Sequence, residues 1–309
     1  MLNTLYLQTF LAVVDAGNYT AAAEQLHMSQ PAVSQHIRAL EEQLGDVRLF
    51  RRSGQRMVPT HAGEELLVTA RELVAMVERT EQNIRAMRGQ TTGRVVIGCT
   101  ANSGEYLLPP LLAAFRLNHP AVTLSVRVGN VEMLLNALTE RQIDLLVLEE
   151  QQRRRGWESH MLGVEPICLI APVDHPLLQS DHVPLSIVRE YPCTLPGAGM
   201  PLRRTLEDAL RRRGIALADL MVALECESIN LLLQSVRSGM GLAFVPQLSL
   251  LPATNMGIVT LAGSPLQQEW YVLRERGKKM ARAVQEVYAF MVGNTGQGLL
   301  QQHGLITAE

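Results

Sequence analysis

Apolar positions near the start of the chain recur with a helical period. Leu7, Phe10, Leu11 and Val14 fall at i, i+3, i+4 and i+7, one face of an amphipathic helix that ends at Gly17. Thr20 is placed to cap a short helix, Thr20–Leu26, in which Ala21, Ala22 and Ala23 allow a second helix to approach closely. After a tight turn at His27-Met28, Ser29 caps a third helix with Pro31 in its first turn, where a missing N–H costs nothing. Val33, Ile37 and Leu40 form its inward stripe, and Gly45 stops it. Two short strands, about Arg48–Arg52 and Arg56–Pro59, joined by Ser53-Gly54-Gln55, then read as a hairpin wing.

Thr60 caps a long helix running to about Arg88. Its positions Leu66, Ala70, Leu73, Val77, Thr80, Ile84 and Met87 alternate steps of four and three, a sustained heptad seam with charged flanks. A seam that narrow calls for a partner helix, so Leu66, Ala70, Leu73, Val77, Ile84 and Met87 are the expected dimerisation residues; the alternative is a helix packed on its own domain. Residues 89–93 form a hinge, and beyond it the period changes. A strand over Arg94–Cys99, a helix over Gly104–Asn118, a strand over Val122–Val128, a helix over Val131–Arg141 and an apolar strand over Ile143–Leu148 alternate as in a parallel sheet covered by helices. A second unit repeats the theme: strands Glu165–Pro172 and Pro192–Leu195, helix Leu202–Arg213, strand Met221–Cys226, helix Ser228–Ser238 and strand Leu242–Val245. A last strand, Glu269–Arg274, and helix, Met280–Val292, return to the first sheet, and the Gly/Gln-rich residues 294–309 read as a flexible tail.

The expected fold is therefore α/β behind an all-α winged head. Its domains are the head at 1–60, the linker helix at 61–88 and a 94–293 domain of two Rossmann-like subdomains. Subdomain I takes about 94–163 and 266–293, and subdomain II about 164–265. The 309 residues suit more than one domain, and 47% hydrophobic against 19% charged residues gives material for real cores. A net charge of −2 excludes a chain coated in positive charge but leaves room for a local basic patch. Cys99, Cys168, Cys193 and Cys226 lie far apart without metal-ligand spacing, which reads as four reduced thiols in a cytoplasmic protein. Neither a signal peptide nor an apolar run of the ~18 residues a membrane span needs is evident.

Chemistry concentrates on the third helix. With Val33, Ile37 and Leu40 inward, Gln30, Ser34 and Arg38 face outward, with Gln35 beside them. Gln suits the adenine edge, Arg the guanine edge, and Ser either a base or a phosphate. Arg48, Arg51, Arg52 and Arg56 crowd the wing without an acid among them, placed to hold phosphate or enter a minor groove. Catalytic signals are missing: the eight His include no HxxxH or HExxH, and neither GxSxG nor GxxxxGK occurs. Glu149-Glu150 reads as a solvated strand edge, because adjacent strand residues point to opposite faces.

The N-terminal run resembles the winged helix-turn-helix of LysR-type transcriptional regulators. It is carried by Phe10, Val13, Gly17-Asn18-Tyr19-Thr20-Ala21-Ala22-Ala23, Leu26, Ser29-Gln30-Pro31-Ala32-Val33-Ser34, Ile37, Leu40-Glu41, Leu44-Gly45, Leu49-Phe50 and Arg52. Pro59-Thr60-x-Ala62-Gly63 is similar to the start of that family's linker helix, with Pro59 where Leu is more usual. Gly98, Tyr106-Leu107-Leu108-Pro109, Phe115, Pro120, Asp144, His175-Pro176-Leu177 and Gly239-Met240-Gly241 extend the likeness over nearly the whole chain.

The resemblance implies a non-enzymatic, sequence-specific regulator of transcription with two periplasmic-binding-protein-like subdomains and a small-molecule effector between them. Its partners are double-stranded DNA at a promoter operator, a second copy in a homodimer or homotetramer, the effector, and RNA polymerase as a candidate; it needs no cofactor or membrane. The DNA-facing set is Thr20, Ser29, Gln30, Pro31, Ser34, Gln35, Arg38, Arg51, Arg52 and Arg56. The effector-facing set, carried over by position, is Thr100, Asn102, Ser103, Asn130, Met200 and Ser228. Short polar side chains at strand C-termini and helix N-termini are also where parallel sheets bind small anions. The same residues can merely cap helices. A small-molecule-binding protein whose head serves only assembly, and an α/β enzyme, are the competing readings; the exposed Gln30/Ser34/Arg38 face opposes the first, and the missing nucleophile–base set the second.

Overall fold

The computed structural model describes residues 2–86, 91–153, 155–250, 255–277 and 279–306. The chain divides into two compact units, Met1–Thr91 with Thr139–Arg141, and Thr92–Leu138 with Gln142–Glu309.

In the first unit α1 (Thr4–Ala16), α2 (Tyr19–Gln25) and α3 (Gln30–Gln43) are followed by the hairpin of β1 (Phe50–Ser53) and β2 (Arg56–Pro59) and by α4 (His61–Ala86). The side chain that caps α2 is Asn18, whose Oδ1 accepts from Ala21 N at 2.7 Å; Thr20 lies exposed in the first turn, not at the cap. Three adjacent polar residues could start this helix, and the register of the first turn selects Asn18. Ser29 and Thr60 cap as expected, Ser29 Oγ accepting from Ala32 N and Thr60 Oγ1 from Gly63 N.

The α4 seam is divided in a way its spacing does not reveal. Leu66, Ala70 and Val74 are buried with Leu7, Phe10, Val13 and Leu40 in the core of the head itself. Leu66 and Ala70 are thus already covered within one chain and cannot serve as seam residues between chains. Further along, Met76 (55% exposed) and Ile84 (58%) stand open, with Val77 at 38% and Leu73 half-buried. Met87 lies outside the described residues.

The second unit is built on one nine-stranded sheet. Its order is β4 (Val122–Val128), β3 (Gly93–Cys99), β5 (Leu145–Leu148), β11 (Leu266–Glu275), β6 (Trp157–Pro172), β9 (Leu242–Pro246), β7 (Pro192–Pro196), β8 (Met221–Cys226), with β10 (Met256–Val259) paired to β6. β3 runs parallel to β4 and β5, and β7 parallel to β8 and β9, which gives the two expected α/β lobes. They are joined by β6 and β11, antiparallel to one another from Leu266↔Ile167 to Glu275↔Trp157. The boundary expected at 163/164 therefore falls inside β6, which starts eight residues before Glu165. Lobe I packs α5 (Leu108–Asn118), preceded by a π turn, and α9 (Arg282–Val292) on one sheet face around Phe115, Trp270 and Val287; α6 (Val131–Thr139) covers the other around Leu146 and Leu273. Lobe II packs α7 (Pro201–Arg211) and α8 (Ile229–Arg237) around Leu206, Leu232 and Phe244.

The expectation of a flexible tail fails. Asn294–Gln302 forms α10, Leu300 and Leu305 are buried in the lobe I core, and Ile306 bridges Val164. One of the glycines that suggested disorder serves packing: a Cβ at Gly296 would lie 2.2 Å from Phe290 O, so only glycine lets α10 turn back so tightly on α9.

Candidate functional site

The polar face of α3 is exposed where the sequence places it. Gln30, Pro31, Gln35 and Arg38 are open to solvent and Ser34 is half-buried, while Val33, Ile37 and Leu40 lie in the core. His36 anchors the helix from behind, with Nδ1 2.9 Å from Thr9 Oγ1 and its ring 4.9 Å from that of Tyr6. Buried Glu41, on the same helix, holds the wing: Oε1 accepts from Leu49 N at 2.9 Å and Oε2 from Arg48 at 3.1 Å. Arg48 therefore has an acid partner that the wing's own sequence did not show. Arg51, Arg52 and Arg56 are exposed on the hairpin, and Arg52 Nε donates to Gly54 O at 3.2 Å across its turn. An exposed Gln/Ser/Arg helix face beside a cationic hairpin suits a major groove and its flanking phosphates.

The six effector candidates separate. Thr100, Asn102 and Ser103 meet at the C-terminal end of β3, and Thr100 Oγ1 donates to Glu149 Oε1 at 2.6 Å. Ser103 N donates to Thr100 Oγ1, and Ser103 Oγ to Val147 O. Exposed Asn130 caps α6 through Met133 N at 2.8 Å, and exposed Ser228 caps α8 through Leu231 N at 3.3 Å. Half-buried Met200 precedes α7 and packs on the lobe II core. A cleft of about 720 Å³ lies against the ends of β5 and β11 and the flank of α7; Glu149, Glu150, Arg204, Asp208, Arg212 and Glu269 are among its lining residues. None of the six candidates lines it.

Glu149 is the residue that sequence reasoning set aside. It ends the apolar run Leu145–Leu148 and is 3% exposed, so it is a buried acid and not a solvated edge. Its neighbour Glu150 turns outward and pairs with Arg204 of α7 at 3.0 Å, a link between lobes that solvent exposure limits to about 0–1 kcal/mol. A second buried acid, Glu165 on β6, accepts from Leu248 N, Gln268 Nε2 and Trp270 Nε1. Burial pushes the carboxyl groups of both Glu149 and Glu165 up to about 7. Burial likewise pushes the Cys99, Cys168 and Cys193 thiols up to about 11, away from thiolate chemistry.

These acids give stability a pH dependence of definite sign. Between the ordinary value of 4.5 and about 7, the folded unit keeps protons that the unfolded chain has released. The contribution is complete below the lower value and is lost as pH rises through the upper one. The melting temperature of the second unit is expected to fall from about pH 5 to about pH 8 for this reason. A melting temperature that climbs across that window would contradict it.

Among the described residues no helix is long and apolar enough to cross a membrane, and no cluster of His, Cys, Asp or Glu is grouped for a metal. Residues 5–64 match the family model of the bacterial regulatory helix-turn-helix protein, lysR family, and residues 88–295 match that of the LysR substrate binding domain. A RuBisCO operon transcriptional regulator of Allochromatium vinosum is 31% identical over 296 residues, spanning 94% of this chain and 96% of its own. The HTH-type transcriptional regulator CfxR of Cupriavidus necator is 29% identical over 301 residues, spanning 96% and 93%. Full-length CbnR complexed with its target DNA superposes with a TM-score of 0.66 at 23% identity, over 94% of this chain and 99% of that one. Full-length BenM gives 0.61 at 21% identity over 100% of both. At such identities the two structures speak for the fold.

Proposed function

This chain belongs to the LysR family of bacterial transcriptional regulators, and on that premise we propose how its parts share the work. It is a regulator and not an enzyme, with a helix-turn-helix that binds DNA and a domain that binds an effector. In our reading Gln30, Ser34, Gln35 and Arg38 read base edges, while Ser29, Pro31 and Thr20 sit close to the backbone and Arg51, Arg52 and Arg56 hold phosphates. The observation that carries it is the exposed face of α3, fixed from behind by His36 and from the side by Glu41.

Two such faces act together when α4 pairs with α4 of a second copy. The exposed part of the seam, Val77 and Ile84 with Met76 and beside half-buried Leu73, supports that pairing, and a tetramer of two such pairs is the larger assembly we favour. The effector enters between the lobes of the second unit, at the strand ends that carry Thr100 and Glu149. There it shifts their spacing and with it the bend of bound DNA. This work takes place in the cytoplasm, where the operator is. Footprinting of the full-length protein on the promoter region upstream of its own gene tests the reading. The expected result is an inverted repeat with half-sites about one or more turns of roughly 10 bp apart. Equal affinity for that region and for scrambled DNA at moderate salt would overturn it.

A further inference from the structure

Two strands carry the join between the lobes of the second unit. β5 covers the outer edge of β11 only from Tyr271 to Leu273, and β9 covers the outer edge of β6 only from Ile167 to Ile170. Between those stretches, β6 from Gly163 to Pro166 pairs with β11 from Gln267 to Trp270 and, among the described residues, with no other strand. A ladder of two strands is marginal by itself, and a bare edge at Val164 would leave an N–H and a C=O without partners.

The last described residues fill that edge. Ile306 N donates to Val164 O at 2.7 Å and Val164 N to Ile306 O at 2.8 Å, just past the point where β9 ends. Leu305 is buried in the lobe I core, and a Cβ at Gly163 would stand 3.1 Å from Leu305 Cδ2 and 3.2 Å from Ile306 O. Glycine at 163 therefore lets this segment lie close against β6. Gly304 carries the same segment to lobe II: a Cβ there would lie 3.3 Å from Nε2 of Gln247, in the turn 247–250 that follows β9. That turn reaches back, placing Leu248 in the lobe I core while Leu248 N donates to Glu165 at 3.0 Å. Three distant segments thus converge on residues 163–165 of β6.

We propose that Gly304-Leu305-Ile306 is a brace across the hinge, holding the two lobes at one spacing until an effector shifts them. This rests on the effector reading above and adds the element that resists the shift. The brace is anchored on one side only: Leu300 and Leu305 belong to the lobe I core, so it stays with that lobe as the hinge bends. Its grip on β6 is a pair of backbone hydrogen bonds, and the Ile306 side chain is 56% exposed. A contact of that kind opens without unfolding the core beneath it.

The test compares full-length Ile306→Pro, which removes the donor to Val164 O, with Ile306→Ala, which keeps both backbone bonds. In the proline variant, hydrogen exchange read by mass spectrometry is expected to quicken about tenfold over 163–167 and 266–270, the protection that one or two hydrogen bonds provide. The alanine variant is expected to match the unchanged protein, and β3 and β7, inside the lobes, to keep their rates in both. A segment that only completes the lobe I core would loosen β3 and α9 along with the hinge, and that pattern would overturn the proposal. A proline variant whose hinge exchanges at the unchanged rate would overturn it too. Should Ile306→Pro fail to fold, Gly163→Ala, which presses on the brace from β6, is read in its place with the same expectation. The second readout is the bend of the promoter region upstream of the gene, measured by gel shifts with the site permuted along the fragment and no small molecule added. The bend is expected to change with Ile306→Pro and not with Ile306→Ala. If the hinge exchanges faster while the bend stays as it was, the brace stands, and the link from lobe spacing to DNA in the effector reading is what falls.

Discussion

Alanine in place of Arg38 is expected to lower the ratio of operator to nonspecific affinity by about 5- to 150-fold, the ~1–3 kcal/mol of one bidentate base contact. Alanine in place of Arg52 is expected to weaken binding to every sequence alike and to reduce the salt slope by about 1. The difference follows from where the two guanidinium groups stand. Arg38 leaves the exposed face of a helix whose opposite side carries Ile37 and Leu40 in the core, so its reach is directed outward from a rigid support. Arg52 is on a four-residue strand of the wing and already donates to Gly54 O, which turns it along the hairpin. Competition gel shifts at several salt concentrations measure both quantities. Parallel losses for the two variants would erase the division between base and phosphate contacts.

Gly63→Ala is expected to destabilise the DNA-binding unit by about 1–3 kcal/mol, a large share of the stability of a marginal domain. A Cβ there would stand 2.3 Å from Leu49 O and 3.0 Å from Pro59 Cβ. The carbonyl cannot retreat freely: it accepts from Thr60 N at 2.9 Å, and buried Leu49 is bonded through its own N–H to Glu41. Relief at position 63 would therefore disturb the wing and the recognition helix together. Gly298→Ala supplies the contrast, since nothing lies within 4 Å of its Cβ and it sits inside α10. There the better helix propensity of alanine should add up to about 1 kcal/mol. Denaturant melts of the two variants should move in opposite directions, and a neutral Gly63→Ala would show that the contact at Leu49 is loose.

Much of the head was legible because its signals are local. Ser29, Pro31 and the stripe of Val33, Ile37 and Leu40 specify a helix and its inner face within one stretch of chain, and the outer face follows by subtraction. The head misled only where a second candidate lay nearby, as with Asn18 and Thr20. The α4 seam failed for a different reason. A heptad step is nearly the step of any one-sided helix, so the spacing of Leu66 and Ala70 cannot say whether the covering surface is the same chain or another.

The effector region shows the other limit. Polar residues after strands pointed alike to Thr100, Asn102 and Ser103, which the fold gathers at the end of β3, and to Asn130 and Ser228, which cap α6 and α8. Glu149 was visible and discounted, since the strand rule gives the side on which a residue points but not what covers that side. Here the cover includes Thr100, bonded to Glu149 from 49 positions earlier in the chain. Similarly, Gly296 of α10 read as disorder until α9 was in place to pack against it.

The amino-acid pattern by itself thus determined the order of most helices and strands, the outward face of α3 and the two-lobed α/β plan. Each of these follows from period and capping within some 20 neighbouring residues. Tertiary structure alone decided that β6 and β11 run through both lobes, that α4 is half spent on its own head, that residues 294–306 fold, and that Glu149 is shut away from water. These depend on which distant segment comes to cover a side chain, and burial of that kind is a property of the assembled chain and not of any stretch of it.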